Sequence, residues 1–267
     1  MTGSNSATWA ATVTDMCLVV LAFDVDAEYP LIVAGNRDEF HARPTQDAGW
    51  WPDAPDILGG RDLRAGGTWL AIHRSGRFAT VTNTRDAEPR TTGLRSRGHL
   101  VTDFLQSELA PIDYLKNIDG SNYAGFNLFA ADLRSVAFLS NRGGEARQLP
   151  KGIYGLANAT LDTPWEKVER SKARLGSLLE DDKVNETELL RLLADRDKGP
   201  IDEVKSNGLP FSTAHALTAP FIVLPDFGTR CSTVICADRS GNWSFLERRF
   251  DAAGIRTGES RYSHQCS

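Results

Sequence analysis

Two apolar runs separated by a short polar turn constrain the fold more than any other stretch of this chain. Residues 17–23 read Cys-Leu-Val-Val-Leu-Ala-Phe, residues 24–28 (Asp-Val-Asp-Ala-Glu) read as a polar turn, and a second apolar run ends at Gly35. Continuous apolar residues are typical of a strand covered on both faces. So short a connection predicts an antiparallel hairpin. The polar tetrad Asn36-Arg37-Asp38-Glu39, expected at the turn that ends the second strand, is therefore predicted to return toward Cys17.

Strand-like and helix-like segments alternate along the rest of the chain. The pattern predicts a strand ending at Asn83, a helix over residues 96–109 and strands that continue to Asn158. A Thr-Pro-Trp-Glu capping-box pattern at residues 163–166 predicts the start of a second helix, and a third follows at about residues 186–194. Short antiparallel connections and clustered helices predict an α+β fold. In that fold two antiparallel sheets stack and helices cover their outer faces.

The length of 267 residues fits one large domain. We predict that this domain covers residues 16–251, after a disordered extension or mis-assigned start at residues 1–15. Residues 252–267 show no periodicity, which predicts a flexible tail. Residues 40–56 hold three prolines and little periodicity, which predicts a surface loop. Its aromatic residues Trp50 and Trp51 either line a cleft or pack beneath the loop.

Composition narrows the classes of partner. With 30 Lys+Arg against 35 Asp+Glu and no basic cluster, the chain is not expected to bind nucleic acid. No apolar run is long enough to cross a bilayer, so no integral membrane association is expected. The four cysteines occur without a secretory signal, which favours thiols in a reducing compartment and a cytoplasmic protein. Oligomeric state is left open.

Five motifs together resemble a known family. They are Met16-Cys17, the polar tetrad, residues 57–62 (Ile-Leu-Gly-Gly-Arg-Asp), residues 66–70 (Gly-Gly-Thr-Trp-Leu) and residues 82–85 (Thr-Asn-Thr-Arg). From Cys17 to about Phe250 the chain closely resembles the NRDE family, also called the transport and Golgi organisation 2-like family. The resemblance implies a branch of the N-terminal nucleophile (Ntn) hydrolase fold, a four-layer αββα sandwich. It also implies a link to haem movement and to lipid or acyl-CoA homeostasis.

The pattern is also similar to that of the cysteine-type Ntn amidases, such as the bile salt hydrolases and penicillin V acylases. Those enzymes use a chain-opening Cys, an Arg and an Asp from the end of the next strand, two Asn residues at later strand ends, and a late Arg before a strand. By this resemblance, the corresponding residues of this chain are Cys17, Arg37, Asp38, Asn83, Asn158 and Arg230.

The chemistry of these residue types agrees with such a reaction. A thiolate is the nucleophile, and a free α-amine with an ordinary pKa of about 8 takes its proton near neutral pH. Arg37 would favour the thiolate, and Asp38 would accept hydrogen bonds from the ammonium. Asn83, with a neighbouring backbone N–H, would stabilise the oxyanion. The scattered histidines have no metal-ligand spacing, and this reaction requires no cofactor.

Each residue also has a structural interpretation. Cys17 could be a small hydrophobic residue at the start of a strand. Arg37 and Asp38 could form an ion pair that closes a hairpin, and Glu39 is better read as solvated or structural. Asn83 and Asn158 could be turn formers, and Arg230 is equally balanced between the two interpretations.

The amine mechanism requires Cys17 to be the first residue of the mature chain. Three alternatives follow: translation starts at Met16 and the methionine is removed, the chain is cleaved before Cys17, or the amine mechanism is absent. We favour the first, because residues 1–15 contain no recognisable element and a methionine stands directly before the cysteine.

Two functions of different class follow, and the sequence leaves open whether the protein is an enzyme. The first is a cysteine amidohydrolase or acyl hydrolase that acts on a small amide or (thio)ester. The alternative is a non-catalytic protein that binds or transfers haem or an acyl-CoA-like ligand in the same cleft, where a free thiol could ligate haem iron. A hydrolase fold that has lost its activity is a third possibility.

Overall fold

The computed structural model describes residues 17–84, 93–204 and 208–265. The predicted extension at residues 1–15, the predicted start at Met16 and Arg85 of the fifth motif lie outside the described residues. The strands are β1 (Leu18–Phe23), β2 (Leu31–Phe40), β3 (Thr45–Trp51), β4 (Ala54–Asp62), β5 (Leu70–His73), β6 (Phe78–Asn83), β7 (Phe126–Ala131), β8 (Val136–Ser140), β9 (Arg147–Leu149), β10 (Gly152–Leu156), β11 (Phe227–Ala237), β12 (Trp243–Phe250) and β13 (Arg256–His264). The α-helices are α1 (Gly98–Gln106), α2 (Pro111–Lys116), α3 (Glu166–Glu180), α4 (Glu186–Leu193) and α5 (Phe211–Ala216).

The strands form two antiparallel sheets. The first sheet has six strands in the order β10-β1-β2-β11-β12-β13, and the second has seven strands in chain order from β3 to β9. The predicted hairpin of the first two apolar runs is present, with Val20 opposite Ala34. Because β1 and β2 are covered on both faces, every residue of β1 is buried, which explains its unbroken apolar sequence.

Three apolar layers hold the sheets and helices together. Between the sheets, inward side chains such as Leu21 and Phe129 form the central core. On the outer face of the second sheet, Phe104 of α1 belongs to a second core cluster, which also includes Leu115 of α2. On the outer face of the first sheet, a third cluster contains Leu175 of α3 and residues of α4. The order of layers is therefore αββα, and the predicted four-layer sandwich is confirmed.

The predicted loop at residues 40–56 was wrong, because β3 and the start of β4 lie there. The pairing of β3 with β4 shifts register between Gln46 and Gly49 and again after Trp50, which interrupts the alternation expected of a strand. Trp51 is buried, and its indole N–H donates to the carbonyl of Gly59 at 3.0 Å. Trp50 packs beside other aromatic rings, so the interpretation as packed residues holds for both.

The predicted flexible tail was also wrong, because residues 256–264 form β13. This edge strand pairs with β12 along its length through backbone hydrogen bonds. Its side chains are polar and partly exposed, for example Glu259, whose carboxylate accepts from the Arg248 guanidinium at 2.9 Å. Polar and charged side chains are common on edge strands, where one side of the strand has no neighbour, so no apolar pattern marks the strand in the sequence.

The polar tetrad lies inside β2 and not in a turn, because β11 continues to pair with β2 as far as Phe40. The predicted helix at residues 96–109 is shorter and covers Gly98–Gln106. The predicted capping box is absent: α3 begins at Glu166 without a side-chain cap. The Thr163 hydroxyl donates instead to the carbonyl of Thr160 at 2.7 Å. In the parts of the chain that the structure describes, no helix is both long and apolar enough to cross a membrane.

Helix α3 packs closely against β10 because β10 carries a glycine at the contact. A Cβ atom placed on Gly155 would lie 2.5 Å from a methyl carbon of Val168 and 2.8 Å from Cδ of Lys172. Gly176 on α3 has room, since a Cβ there would meet nothing closer than 3.6 Å. The absent side chain of Gly155 therefore sets the distance between α3 and the first sheet.

We expect Gly155→Ala to lower the free energy of unfolding by about 1–3 kcal/mol, because α3 must move away from β10. Gly176→Ala is the matched control and should raise that free energy by about 0.5–1 kcal/mol, since alanine favours a helix interior. Urea denaturation followed by circular dichroism measures both. Equal effects of the two substitutions would contradict the close packing at Gly155.

Candidate functional site

The polar tetrad is divided between the two faces of β2. Successive side chains on a strand point to opposite faces. Arg37 and Glu39 point between the sheets, whereas Asn36 and Asp38 point toward the helical layer. The Asn36 amide donates there to the carbonyls of Leu193 at 2.8 Å and Pro220 at 2.9 Å. Asn36 therefore anchors β2 to the helical layer.

Cys17 lies in one cross-strand row with Arg37 and Cys231. It directly precedes Leu18, which pairs with Asn36, so Cys17 stands beside Arg37, and Arg37 pairs in turn with Cys231. Residues directly opposite on antiparallel strands share a face of the sheet. All three border a cleft of about 390 Å³. Cys17 is only 5% exposed, so it borders this cleft as a nearly buried side chain.

The cleft lies between the two sheets, because residues of β2 and β11 face residues of β4 and β6 across it. Its charged lining residues are Arg37, Asp38, Glu39, Arg43, Asp47, Arg61, Asp62, Arg97, Arg230, Glu247 and Arg249. The large apolar side chains in the lining are Trp69, Val81 and Phe250. The cleft is therefore predominantly polar. No group of His, Cys, Asp and Glu among the described residues is arranged to hold a metal ion.

Arg37 is oriented by its neighbours within the cleft. One terminal nitrogen lies 3.3 Å from the Glu39 carboxylate, and the other donates to the Thr45 hydroxyl at 3.4 Å. The proposed ion pair between Arg37 and Asp38 is therefore replaced by a pair between Arg37 and Glu39, because adjacent strand residues point to opposite faces. Glu39 also accepts from the backbone N–H of Phe40 at 2.8 Å, which gives it a structural role.

Asp38 is completely buried behind the cleft. One carboxylate oxygen, Oδ1, accepts from the Thr229 hydroxyl at 2.6 Å, and that hydroxyl accepts from the backbone N–H of Ile222 at 2.9 Å. The other oxygen, Oδ2, has no hydrogen-bond partner among the residues that the structure describes. Burial raises the pKa of Asp38 to about 7, although Lys167, Thr229 and Arg37 act to lower it.

Asn83 and Asn158, the two asparagines predicted for the site, contact each other at a junction between the two sheets. The Asn158 amide donates to the backbone carbonyl of Asn83 at 2.9 Å. Two neighbouring bonds strengthen this junction: the Thr82 hydroxyl donates to the carbonyl of Ala157 at 3.0 Å, and the Asn127 amide donates to the carbonyl of Ala159 at 2.7 Å. Asn83 borders the cleft, and Asn158 holds the backbone of Asn83 from behind.

Arg230 stands at the bulge of β11, where the register with β2 shifts between Thr229 and Cys231. Its guanidinium donates to the carbonyl of Phe40 at 3.0 Å and to the carbonyls of His41 and Arg43 at 3.2 Å. Burial lowers the pKa of Arg230. Through these hydrogen bonds the Arg230 side chain stabilises the turn after β2, and it also borders the cleft.

Sequence reasoning overlooked a second thiol and a carboxyl group in the cleft. Burial raises the pKa of Cys231 well above its ordinary value, and the adjacent Glu247 raises it further. Burial also raises the pKa of Glu247, whose carboxylate accepts from the backbone N–H of Ala48 at 3.0 Å. A thiol kept protonated is a weak nucleophile, which leaves Cys17 as the candidate. Alternate side chains of β12 point between the sheets, and Phe245 among them lies in the central core. Glu247 follows two residues later on the same face, and this alternation could have identified it from the sequence.

Sequence reasoning also overlooked Thr229 and Lys167. Thr229 directly precedes the candidate Arg230, but a threonine in a strand carries no distinctive signal. Lys167 is the second residue of α3 and is fully buried, which its sequence position beside the apolar stripe of that helix did not indicate.

The four-layer sandwich identifies the fold class. The fold is that of the Ntn hydrolases. A solved structure of a Caenorhabditis elegans N-acylethanolamine-hydrolyzing acid amidase ortholog matches it with a TM-score of 0.51, over 82% of this chain and 92% of that chain, at 13% sequence identity.

The chain belongs to the Transport and Golgi organisation 2 family, whose family model matches residues 16–252. A Transport and Golgi organization protein 2 homolog from Bos taurus is 37% identical over 259 residues, which cover 87% of this chain and 92% of the relative. The Homo sapiens homolog is 35% identical over 277 residues, which cover 92% of this chain and 97% of the relative. The resemblance to this family is thereby confirmed.

We expect Thr229→Val to lower the free energy of unfolding by about 1–3 kcal/mol, because it leaves Asp38 and the N–H of Ile222 without their shared partner. The loss should grow between pH 6 and pH 8. The hydroxyl stabilises the ionised carboxylate and lowers the pKa of Asp38, so its removal matters most above a pH of about 7.

Thr233→Val on the same strand is the matched control for this substitution. Thr233 is equally buried, and its hydroxyl has no partner among the described residues. Its replacement should change the free energy of unfolding by less than about 1 kcal/mol at either pH. Urea denaturation at both pH values measures the difference. A loss that is the same at pH 6 and pH 8 for Thr229→Val would contradict the assigned role.

Proposed function

We propose that the protein is an Ntn-type cysteine hydrolase that cleaves a small amide or (thio)ester. The observation that carries this proposal is that consecutive side chains of β2 next to Cys17 point to opposite faces of the strand. Arg37 lies beside the cysteine on the cleft face, and Asp38 lies behind it with Oδ1 fixed by Thr229. One residue thus favours a thiolate, and the next is placed to hold an ammonium group.

The first step is activation of the Cys17 thiol. In a chain that begins at Cys17, the neutral α-amine takes the thiol proton and becomes an ammonium group. Asp38 accepts a hydrogen bond from this ammonium through Oδ2, and the positive charge of Arg37 stabilises the thiolate. No histidine is required. The thiolate then forms a bond to the substrate carbonyl carbon, and the carbonyl electron pair moves to the oxygen.

The resulting oxyanion needs hydrogen-bond donors on the cleft side. Asn83 is the proposed donor, because it borders the cleft and its backbone is fixed by Asn158. When the tetrahedral intermediate collapses, the bond to the leaving group breaks and the ammonium of Cys17 returns the proton to that group. Water then attacks the thioester carbon and gives a proton to the α-amine; the bond between carbon and the Cys17 sulfur breaks, the acid is released, and the ammonium returns its proton to the sulfur.

The lining of the cleft supports a small, polar substrate. A volume of about 390 Å³ with many charged side chains in its lining suits a compact amide or ester better than a flat apolar ligand such as haem. The solved structure with a similar fold is that of an N-acylethanolamine-hydrolyzing acid amidase ortholog, and the amidase activity in that name supports the same class of reaction here.

The reaction requires that the active chain begins at Cys17. We propose that translation starts at Met16 and that the methionine is then removed. The match to the family model begins at residue 16, which supports this start. Cys231 and Cys236 form no disulfide, which supports a reducing, cytoplasmic location.

We expect Cys17→Ala, made in protein that begins at residue 17, to lower kcat by roughly 10³-fold or more, because the nucleophile is lost. The assay is hydrolysis of a panel of small N-acyl amides and thioesters. Mass spectrometry of the wild-type protein, quenched during turnover, should show one acyl group on the peptide that contains Cys17.

Cys236→Ala is the matched control, because Cys236 packs with the helices on the opposite face of the first sheet. It should retain the wild-type kcat. Turnover that survives in Cys17→Ala, or an acyl group found on Cys231, would exclude Cys17 as the nucleophile.

A further inference from the structure

A lysine is buried behind the cleft and has no part in the mechanism described so far. Lys167 is 2% exposed, and its amino nitrogen, Nζ, has no hydrogen-bond partner among the residues that the structure describes. Lysine is rarely buried in this way unless an opposite charge accompanies it. A buried ammonium group therefore requires a nearby anion.

The placement of Lys167 is fixed by a small apolar cluster at the start of β1. The cluster consists of Leu18, Ala157 and Val168. Each member adjoins a polar residue of the site: Leu18 follows Cys17, Ala157 precedes Asn158, and Val168 follows Lys167. Because Gly155 admits α3 close to β10, this cluster holds Lys167 against the first sheet.

The anion on this face of the sheet is Asp38. Both side chains are fully buried, and neither the Oδ2 atom of Asp38 nor Nζ of Lys167 has a hydrogen-bond partner in the described ranges. The charged and titratable groups that act on Asp38 are Lys167 from α3 and Arg37 from its own strand. Thr229 from β11 contributes a hydrogen bond, and Cys17 precedes the adjacent strand β1.

The helix dipole of α3 also makes the ammonium group of Lys167 depend on a nearby anion. Lys167 lies in the first turn of α3, where the partial positive charge of the helix disfavours an ammonium group. Burial lowers the pKa of Lys167, and the negative charges of Asp38 and Cys17 raise it. Nearby anions therefore favour the charged form of Lys167, and the charge of Lys167 in turn favours the ionised form of Asp38.

We propose that Lys167 is a positioning residue whose ammonium group keeps Asp38 as a carboxylate directed at the main-chain nitrogen of Cys17. This inference rests on the proposed hydrolase function. Without Lys167, Asp38 is protonated over a wider range of pH and holds the ammonium of Cys17 less well. The amine then loses its orientation toward the thiol, although no group that contacts the substrate has changed.

The direction of the pH effect follows from the charges. Lys167 lowers the pKa of Asp38, so its removal raises that pKa above about 7. The acid limb of the kcat/KM profile should therefore move to higher pH. For each pH unit by which the acid limb moves, kcat/KM falls about tenfold at pH values on the acid side of its midpoint. The alkaline plateau of kcat/KM stays unchanged.

The experiment compares the pH profile of kcat/KM for Lys167→Met with the wild type, both in protein that begins at Cys17. We expect about a tenfold or greater loss at pH 6.5 and less than about a threefold loss on the plateau near pH 9. Lys172→Met is the matched control, because Lys172 lies on the same helix but pairs with Asp162 at 2.8 Å. Its profile should keep the wild-type midpoint. A uniform loss at every pH for Lys167→Met would overturn the inference.

A second measurement tests the charge pair without any substrate. At pH 8, Lys167→Met should lower the urea midpoint of unfolding, because it leaves an uncompensated buried carboxylate. Adding Asp38→Asn to that variant should recover at least half of the loss, and additive losses would overturn the charge pair. If this coupling is found but no form of the protein hydrolyses amides or esters, the hydrolase proposal fails and the pairing stands. Turnover without coupling overturns the role of Lys167 alone.

Discussion

The structure depends on the position of β2 between β1 and β11. Backbone pairing with β1 reaches Asn36, and pairing with β11 continues to Phe40, which keeps this strand extended through four polar residues that would otherwise end it. Because β2 stays extended, its side chains alternate, and consecutive residues of the tetrad serve different environments. Arg37 reaches the cleft, while Asp38 reaches the buried layer behind it. A turn at the same place would have left both in solvent.

This arrangement places charge where a stable core would exclude it. Asp38, Lys167 and Glu247 are all nearly inaccessible to solvent. Burying a charged group is unfavourable unless another charge or a hydrogen bond compensates, and Asp38 retains one oxygen without a partner in the described chain. Such costs are common at functional sites, where burial and neighbouring charges shift pKa values. The tight packing of α3 on β10 and the junction between Asn83 and Asn158 supply the rigidity that maintains them.

The sequence predicted the features that repeat at short range. The unbroken apolar run of β1 and the brief turn after it were sufficient for the hairpin, and clustered helices were sufficient for the layered fold. The motifs also identified residues that the structure brings to one place, from Cys17 to Arg230. The two edge regions were not predictable in this way. The bulges of β3 interrupt its alternation, and β13 pairs through its backbone while its side chains remain polar.

Lys167 illustrates the other limit of sequence reasoning. A lysine beside the apolar stripe of a helix ordinarily points to solvent, and nothing local distinguishes this one. Its burial depends on Gly155, which precedes it by twelve positions, and its charge partner comes from β2. Contacts between segments that are distant in sequence decided its environment. The same reason explains why Thr229, the hydroxyl that orients Asp38, was overlooked.

The central claim is that Cys17 begins the active chain and acts as its nucleophile. Intact mass of the protein isolated from its natural source, before and after exposure to a thiol-directed acyl probe, tests both parts at once. We predict a chain that begins at Cys17 and gains a single acyl group, located on that residue by peptide mapping. A mature chain that retains residues 1–16, or a Cys17 that remains unmodified while the probe labels another residue, would contradict the account.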